Sequence, residues 1–171
     1  MLTIYNNIDK VIQDIEIIKN IDMTVIRKIA QIIYQYPKVT AFGTLFSQLG
    51  ALDLQYKLAY NHKFIMSYVN DVKQDEYLKN NSEQGVVIIY SNSGNYLNKY
   101  QLSSFDEKKK YDYKNKKVIL ITANEMMVNH PDVDICLVYQ HLSKLQTHSY
   151  IYPLINDLIV AEYRSFQNAN F

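Results

Sequence analysis

The chain has 171 residues, of which 48% are apolar, and its 18 Lys and Arg nearly balance 17 Asp and Glu, a net charge of +1. That length suits one α/β domain, the apolar share excludes a disordered chain, and the near-neutral charge argues against a dedicated nucleic-acid binder. One cysteine excludes a disulfide framework and a cysteine-based zinc site. No run of about 18 apolar residues could span a membrane. The opening MLTIYNNIDK lacks the apolar core of a signal peptide, so the expected compartment is the cytoplasm.

Residues 1–36 read as two helices. Ile4, Ile8, Val11, Ile12, Ile15 and Ile18 share one helical face. Asp22 is placed to cap the next helix, whose stripe is Met23, Ile26, Ile29, Ala30 and Ile33. Pro37 stops it, and the pattern changes to short β-prone runs alternating with helical ones. Residues 38–42 form the first run and end in Gly43; Leu49, Leu52, Leu54, Tyr56 and Leu58 then mark a helix. Residues 63–67 form a second run, followed by a polar stretch over 70–83 expected to be helix and loop. Gly85–Tyr90, Lys117–Ile121 and Asp134–Val138 are nearly all apolar, as strands buried on both faces should be. Residues 95–112 are expected to be partly helical. A closing helix over 146–166 would bury Ile151, Leu154, Ile155, Leu158, Ile159 and Ala161.

Five short strands alternating with helices predict a parallel sheet covered on both sides, with ligands bound beyond the carboxyl ends of the strands. Gly43–Ser47, Ser67–Tyr68, Ser91–Tyr96, Thr122–Asn124 and Tyr139–Gln140 are the strand-end segments. Among them Ser91-Asn92-Ser93-Gly94 stands out. Two hydroxyls, a glycine and a following helix N-terminus can cradle an anion; equally, the serines can simply cap that helix. No metal-ligand spacing or nucleotide fingerprint occurs, and no cofactor is expected.

A glycine after the first strand, Ser47 four residues on, and the S-x-S-G of residues 91–94 after the third together resemble the SIS (sugar isomerase) phosphosugar-binding domain. Ala51–Leu58, Lys117–Thr122 and Pro131–Leu137 resemble the helix after its first strand, its fourth strand and the approach to its fifth. With IDMTVIRKIAQIIYQYPKVTAFG, the chain is most similar to the effector domain of RpiR-type transcription regulators. The resemblance covers nearly the whole chain. It implies one SIS domain over residues 1–171: N-terminal helices in 1–36, then a flavodoxin-like three-layer core over 37–171 with a five-stranded parallel sheet. It implies a homodimer with a sugar phosphate held by Gly43, Ser47, Ser91, Ser93, Gly94, Tyr96 and Thr122. The helix-turn-helix domain through which such regulators contact DNA has no counterpart in these residues.

The chain departs from the family pattern at three places. Leu45 stands where the first loop, G-x-G-x-S, has its second glycine, and its side chain is expected to narrow the pocket. Tyr96 replaces the threonine of S-x-S-G-x-T, and Asn98 replaces a glutamate found in isomerases. Of the other candidate bases, Glu125 follows the fourth strand, while His62, His130, His141 and His148 lie in loops or beside the last helix. Without a convincing base, the expectation is a non-catalytic phosphosugar sensor. A small phosphosugar isomerase and a degenerate dimerisation module are the alternatives. The lysines of 108–117 are expected on a solvated face, and Cys136 inside a strand.

Overall fold

The computed structural model describes residues 12, 15–80, 83–101, 110–140 and 150–169. The strands are β1 (Val39–Gly43), β2 (Met66–Ser67), β3 (Gly85–Tyr90), β4 (Lys116–Thr122) and β5 (Ile135–Val138). All five are parallel, in the order β2-β1-β3-β4-β5. The helices are α1 (Met23–Gln35), α2 (Ser47–Tyr60), α3 (Asp71–Asn80) and α4 (Ile151–Asn168), with 3-10 turns at Asn95–Asn98 and Glu125–Asn129. The fold is the expected flavodoxin-like α/β arrangement. Among the described residues no helix is long and apolar enough to cross a membrane.

The Asp22 carboxylate caps α1, accepting from the N–H groups of Thr24 at 2.8 Å and Val25 at 3.3 Å. Ile26, Ile29, Ala30 and Ile33 are buried as predicted, but Met23 is exposed and Ile32 is buried in its place. In the preceding helical turn Ile17 is buried while Ile15 faces solvent; Ile4, Ile8 and Val11 lie outside the described residues.

The sheet sorts its side chains by alternation. Val86, Ile88 and Tyr90 of β3 and Ile119 and Ile121 of β4 pack towards α1, α2 and α4. Val87, Ile89, Val118 and Leu120 pack on the other face, with Phe42, Leu78 and several tyrosines. In α2 the buried set is Gly50, Ala51, Leu54 and Leu58, whereas Leu49 and Tyr56 are exposed. In α4, Ile151, Ile155 and Ile159 are buried, Ala161 is exposed, and Tyr152, Asn156 and Tyr163 join the core.

Two elements are shorter than the sequence predicts. The second run pairs only through Met66 and Ser67, because Lys63 N–H donates to Leu58 O at 2.9 Å, which ties the start of the run to the end of α2. After Gly94 there is a four-residue 3-10 turn and then extended backbone at Lys99, with residues 102–109 outside the described residues. No full helix follows the S-x-S-G turn there, so it lacks the helix dipole expected of it.

Candidate functional site

The strand order reverses between β1 and β3, and Gly43 lies opposite Tyr90 in their register. The loops leaving these two strands therefore start side by side, at the switch point where such sheets bind ligands.

The first loop is held tightly. A Cβ on Gly43 would lie 2.4 Å from Ser47 O and 2.8 Å from Gln48 N, so the first turn of α2 sits directly on this glycine. Leu45 has φ 52, the left-handed conformation that a glycine would favour. The loop thus keeps the glycine-type backbone with a leucine in it. At 81% exposure, that side chain stands in solvent. The first N–H groups of α2 are already engaged: Ser47 donates to Thr44 O at 3.0 Å, Gln48 to Leu45 O at 3.2 Å and Leu49 to Phe46 O at 3.1 Å. Among the groups this loop can offer an anion is the Ser47 hydroxyl.

The second loop is a turn in which Gly94 N–H donates to Ser91 O at 3.0 Å, with Gly94 at φ 77. The Ser91 hydroxyl accepts from Tyr96 N–H and the Ser93 hydroxyl from Asn95 N–H, each at 3.3 Å. Both serines therefore cap the 3-10 turn. Capping uses an oxygen lone pair and leaves each O–H proton to donate, so the capping role and the anion-cradle role coexist. Ser93 is exposed, whereas Ser91 is nearly buried.

The segment after β4 fixes this turn from below. Thr122, fully buried, donates its hydroxyl to Asn92 O at 3.0 Å and accepts from Asn124 N–H at 3.1 Å. Asn124 Nδ2 donates to Ser93 O at 2.9 Å. A Cβ on Gly94 would meet Met127 Cγ at 2.5 Å, so the turn rests on that side chain. Thr122 thus positions the loop rather than standing at the crevice mouth. Tyr96 is likewise placed inward: it is 3% exposed and donates to Gln74 Oε1 at 2.6 Å. Its ring stacks on Phe42 at 6.2 Å.

Two buried amides that the sequence does not single out tie the elements flanking these loops together. On the α3 side, Gln74 Nε2 donates to Gly43 O at 2.9 Å and Tyr68 O at 2.5 Å while its oxygen serves Tyr96. On the α4 side, Asn156 accepts from the Tyr90 hydroxyl at 2.5 Å and donates to Gly50 O and Asp53 Oδ2, both at 2.8 Å. Asp53 in turn holds Lys57 at 3.0 Å, and Lys57 reaches Asp157 at 2.7 Å and Pro153 O at 2.8 Å.

A third connection links the two loops through buried hydroxyls. Ser47 Oγ lies 3.5 Å from the Tyr152 hydroxyl, which lies 3.1 Å from the Tyr139 hydroxyl, which lies 2.8 Å from Asn92 Oδ1. These hydroxyls join the first loop to the second. Burial raises the Tyr152 pKa above its ordinary value, keeping the phenol protonated. Asn92 and Tyr139 fall in the strand-end segments marked from sequence; Tyr152 on α4 and Gln74 on α3 carried no local signal.

The candidate bases are dispersed. Asn98 and Glu125 are exposed, as is His62 at the end of α2. His130 Nδ1 accepts from Asp132 N–H at 3.2 Å. His141 and His148, like Lys108 and Lys109, lie outside the described residues. Lys110 and Lys114 are exposed, as expected of this basic run, but Lys116 is nearly buried and donates to Glu83 O. Burial pushes the Cys136 thiol up to about 11, consistent with a packing role. Among the described residues no group of three or more His, Cys, Asp or Glu could hold a metal ion.

No family model matches the chain, and no curated protein matches its sequence. Solved structures do match its fold. An inferred phosphosugar isomerase involved in capsule formation from Bacteroides fragilis is 16% identical at a TM-score of 0.71, over 96% of this chain and 92% of that one. The Vibrio vulnificus NanR protein complexed with ManNAc-6P is 16% identical at 0.72, over 99% of this chain and 65% of that one. The sugar isomerase domain of an RpiR transcription factor from Sphaerobacter thermophilus is 14% identical at 0.67, over 95% and 92%. The class defined by the strand order and its switch-point loops is thus a doubly wound parallel α/β fold. Within it, the fold of this chain is that of the SIS phosphosugar isomerase domains, isomerases and regulators alike.

Proposed function

We propose that this chain is the phosphosugar-sensing SIS domain of an RpiR-type regulator. Its ligand is a sugar phosphate whose phosphate group is met by the hydroxyls of Ser47, Ser91 and Ser93. Gly43, Gly94 and Thr122 shape the loops that carry them, and Tyr96 anchors the second loop to Gln74. The observation that carries the reading is the meeting of two hydroxyl-bearing loops at the β1/β3 switch point, bridged by Tyr152 and Tyr139. The fold neighbours support the ligand class, since NanR is complexed with ManNAc-6P. Asn98 in place of the isomerase glutamate, and the exposed position of Glu125, favour sensing over catalysis.

Signalling needs two arrangements with different ligand affinity. A second copy of the chain would supply them. Leu45, Phe46, Leu49, Tyr56 and Tyr60 leave an exposed apolar series on α2 and the loop before it, beside Ser47, and a homodimer covering it would place the ligand near the interface. The dimer would pass the change to an attached helix-turn-helix domain that binds the operator.

A thermal-shift panel of sugar phosphates and amino-sugar phosphates, with inorganic phosphate and free sugars as controls, tests this. A compound bound only by the native state raises the melting temperature with its concentration. The expected result is a shift with one sugar phosphate, weakened in Ser93→Ala, with the compound recovered unchanged. Turnover of the compound would transfer the site to an isomerase. Absence of any shift would leave a dimerisation module.

A further inference from the structure

The hydroxyls that link the two loops obey a simple constraint: each carries one proton, so it can donate to only one neighbour. With Asn92 Oδ1 towards Tyr139, Tyr139 donates to it across 2.8 Å. Tyr152 must then donate to Tyr139 across 3.1 Å, and Ser47 to Tyr152 across 3.5 Å. All three protons point away from the ligand, and Ser47 shows the crevice only lone pairs. Turning the Asn92 amide over places Nδ2 against Tyr139 and reverses every link. Tyr152 then donates to Ser47, and the Ser47 proton is released towards the crevice.

The two states differ in what an anion meets at Ser47. A phosphate needs donors, so it binds the second state better and draws the chain into it. Tyr139 is 3% exposed and Tyr152 6%, so water is a poor substitute for either link. The longest link is the one at Ser47, where the ligand arrives, and it is the easiest to break or reverse. We propose that Tyr152 and Tyr139 are positioning residues that couple the orientation of the Asn92 amide to the donor state of the Ser47 hydroxyl. The two loops of the site thereby take up a phosphate as one unit. This rests on the sugar-phosphate reading above and adds to it residues from α4 and the end of β5.

Phenylalanine tests the hydroxyls while sparing the rings. Tyr152 packs edge-on against Tyr90 at 5.2 Å and Tyr139 at 5.8 Å, and both contacts survive in Tyr152→Phe. Dissociation constants are measured by calorimetry for inorganic phosphate and for the sugar phosphate giving the largest shift. The proteins are wild type, Ser47→Ala, Tyr152→Phe, Tyr139→Phe and the double variant Ser47→Ala with Tyr152→Phe. The expected result is binding about fivefold tighter in Tyr152→Phe, the effect of one hydrogen bond, because the Ser47 proton is no longer committed to Tyr152. The double variant should bind as Ser47→Ala alone does, because the tyrosine acts through the serine. Wild-type or weaker affinity in Tyr152→Phe, or a double variant that differs from Ser47→Ala, would overturn the proposal while the binding reading stands. Wild-type protein that binds no phosphate compound would overturn both. Should Tyr152→Phe fail to fold, Tyr139→Phe carries the same comparison.

Discussion

The two faces of the sheet are built differently. Towards α1, α2 and α4 the core is largely aliphatic, with Ile26, Ile29, Ile33, Leu54, Leu58, Ile88, Ile119, Ile155 and Ile159 buried around one fully enclosed amide, Asn156. Towards α3 it is richer in rings: Phe42 meets Tyr77 edge-on at 5.5 Å and Tyr96 in a stack at 6.2 Å, with Tyr68, Tyr111 and Tyr113 around them. Each face has a buried amide that ties a helix to its neighbours: Asn156 joins α4 to α2 and β3, and Gln74 joins α3 to the end of β1 and to Tyr96. Apolar contact is indifferent to direction, but a buried amide with all its partners in place fixes one geometry. The site lies where these two constraints meet.

The contrast predicts unequal damage when either amide is removed. Asn156→Leu leaves the Tyr90 hydroxyl, wholly buried, without its partner, and also strips Gly50 O and Asp53. A cost of about 3 kcal/mol is expected, in the upper range for a buried polar network. Gln74→Leu strips Gly43 O, Tyr68 O and the Tyr96 hydroxyl, but Tyr68 is half-buried and can take water, so about 2 kcal/mol is expected. Urea denaturation measures both. Equal losses would mean that the faces are equivalent.

Two tyrosine-to-phenylalanine changes sharpen the comparison. Tyr90→Phe removes a hydroxyl bonded to Asn156 at 2.5 Å and should cost about 1 to 2 kcal/mol. Tyr113, by contrast, has a buried hydroxyl with no hydrogen-bond partner among the described residues. Burial raises its pKa, as does Asp132 nearby. Tyr113→Phe removes an unsatisfied polar atom and should be neutral or stabilising by up to about 1 kcal/mol. A destabilised Tyr113→Phe would show that this hydroxyl has a partner after all, and that the ring-rich face is as well satisfied as the aliphatic one.

The sequence carried the strands' raw material, because runs such as Gly85–Tyr90 and Lys117–Ile121 are nearly all apolar and have few other uses. It carried Asp22 as a cap and the S-x-S-G turn for the same reason: each acts on backbone a few residues away. It did not carry Gln74, Tyr152 or Asn156, whose partners lie 13 to 106 residues distant for most of their bonds. A lone polar residue on a helix looks solvent-facing until the sheet closes beneath it. Nor did it carry the inward turn of Tyr96, which depends on Gln74 being there to receive it.

The two site loops repeat the contrast on a smaller scale. Both use one residue of positive φ; in the second it is Gly94, and in the first it is Leu45. A leucine in this conformation costs about 1 kcal/mol or more because its Cβ crowds the carbonyl that follows. Leu45 recovers little of that by packing, since its side chain is 81% exposed. Leu45→Gly relieves the strain but loosens the unfolded chain by roughly 0.5 to 1 kcal/mol. The expected net change is therefore small, a stabilisation of up to about 0.5 kcal/mol, read as a slight rise in melting temperature. The informative measurement is the same variant at high protein concentration. If Leu45 is retained because a second copy covers it, Leu45→Gly will be more stable as a monomer yet weaker in self-association. A gain in stability with unchanged association would leave the strained leucine without that role.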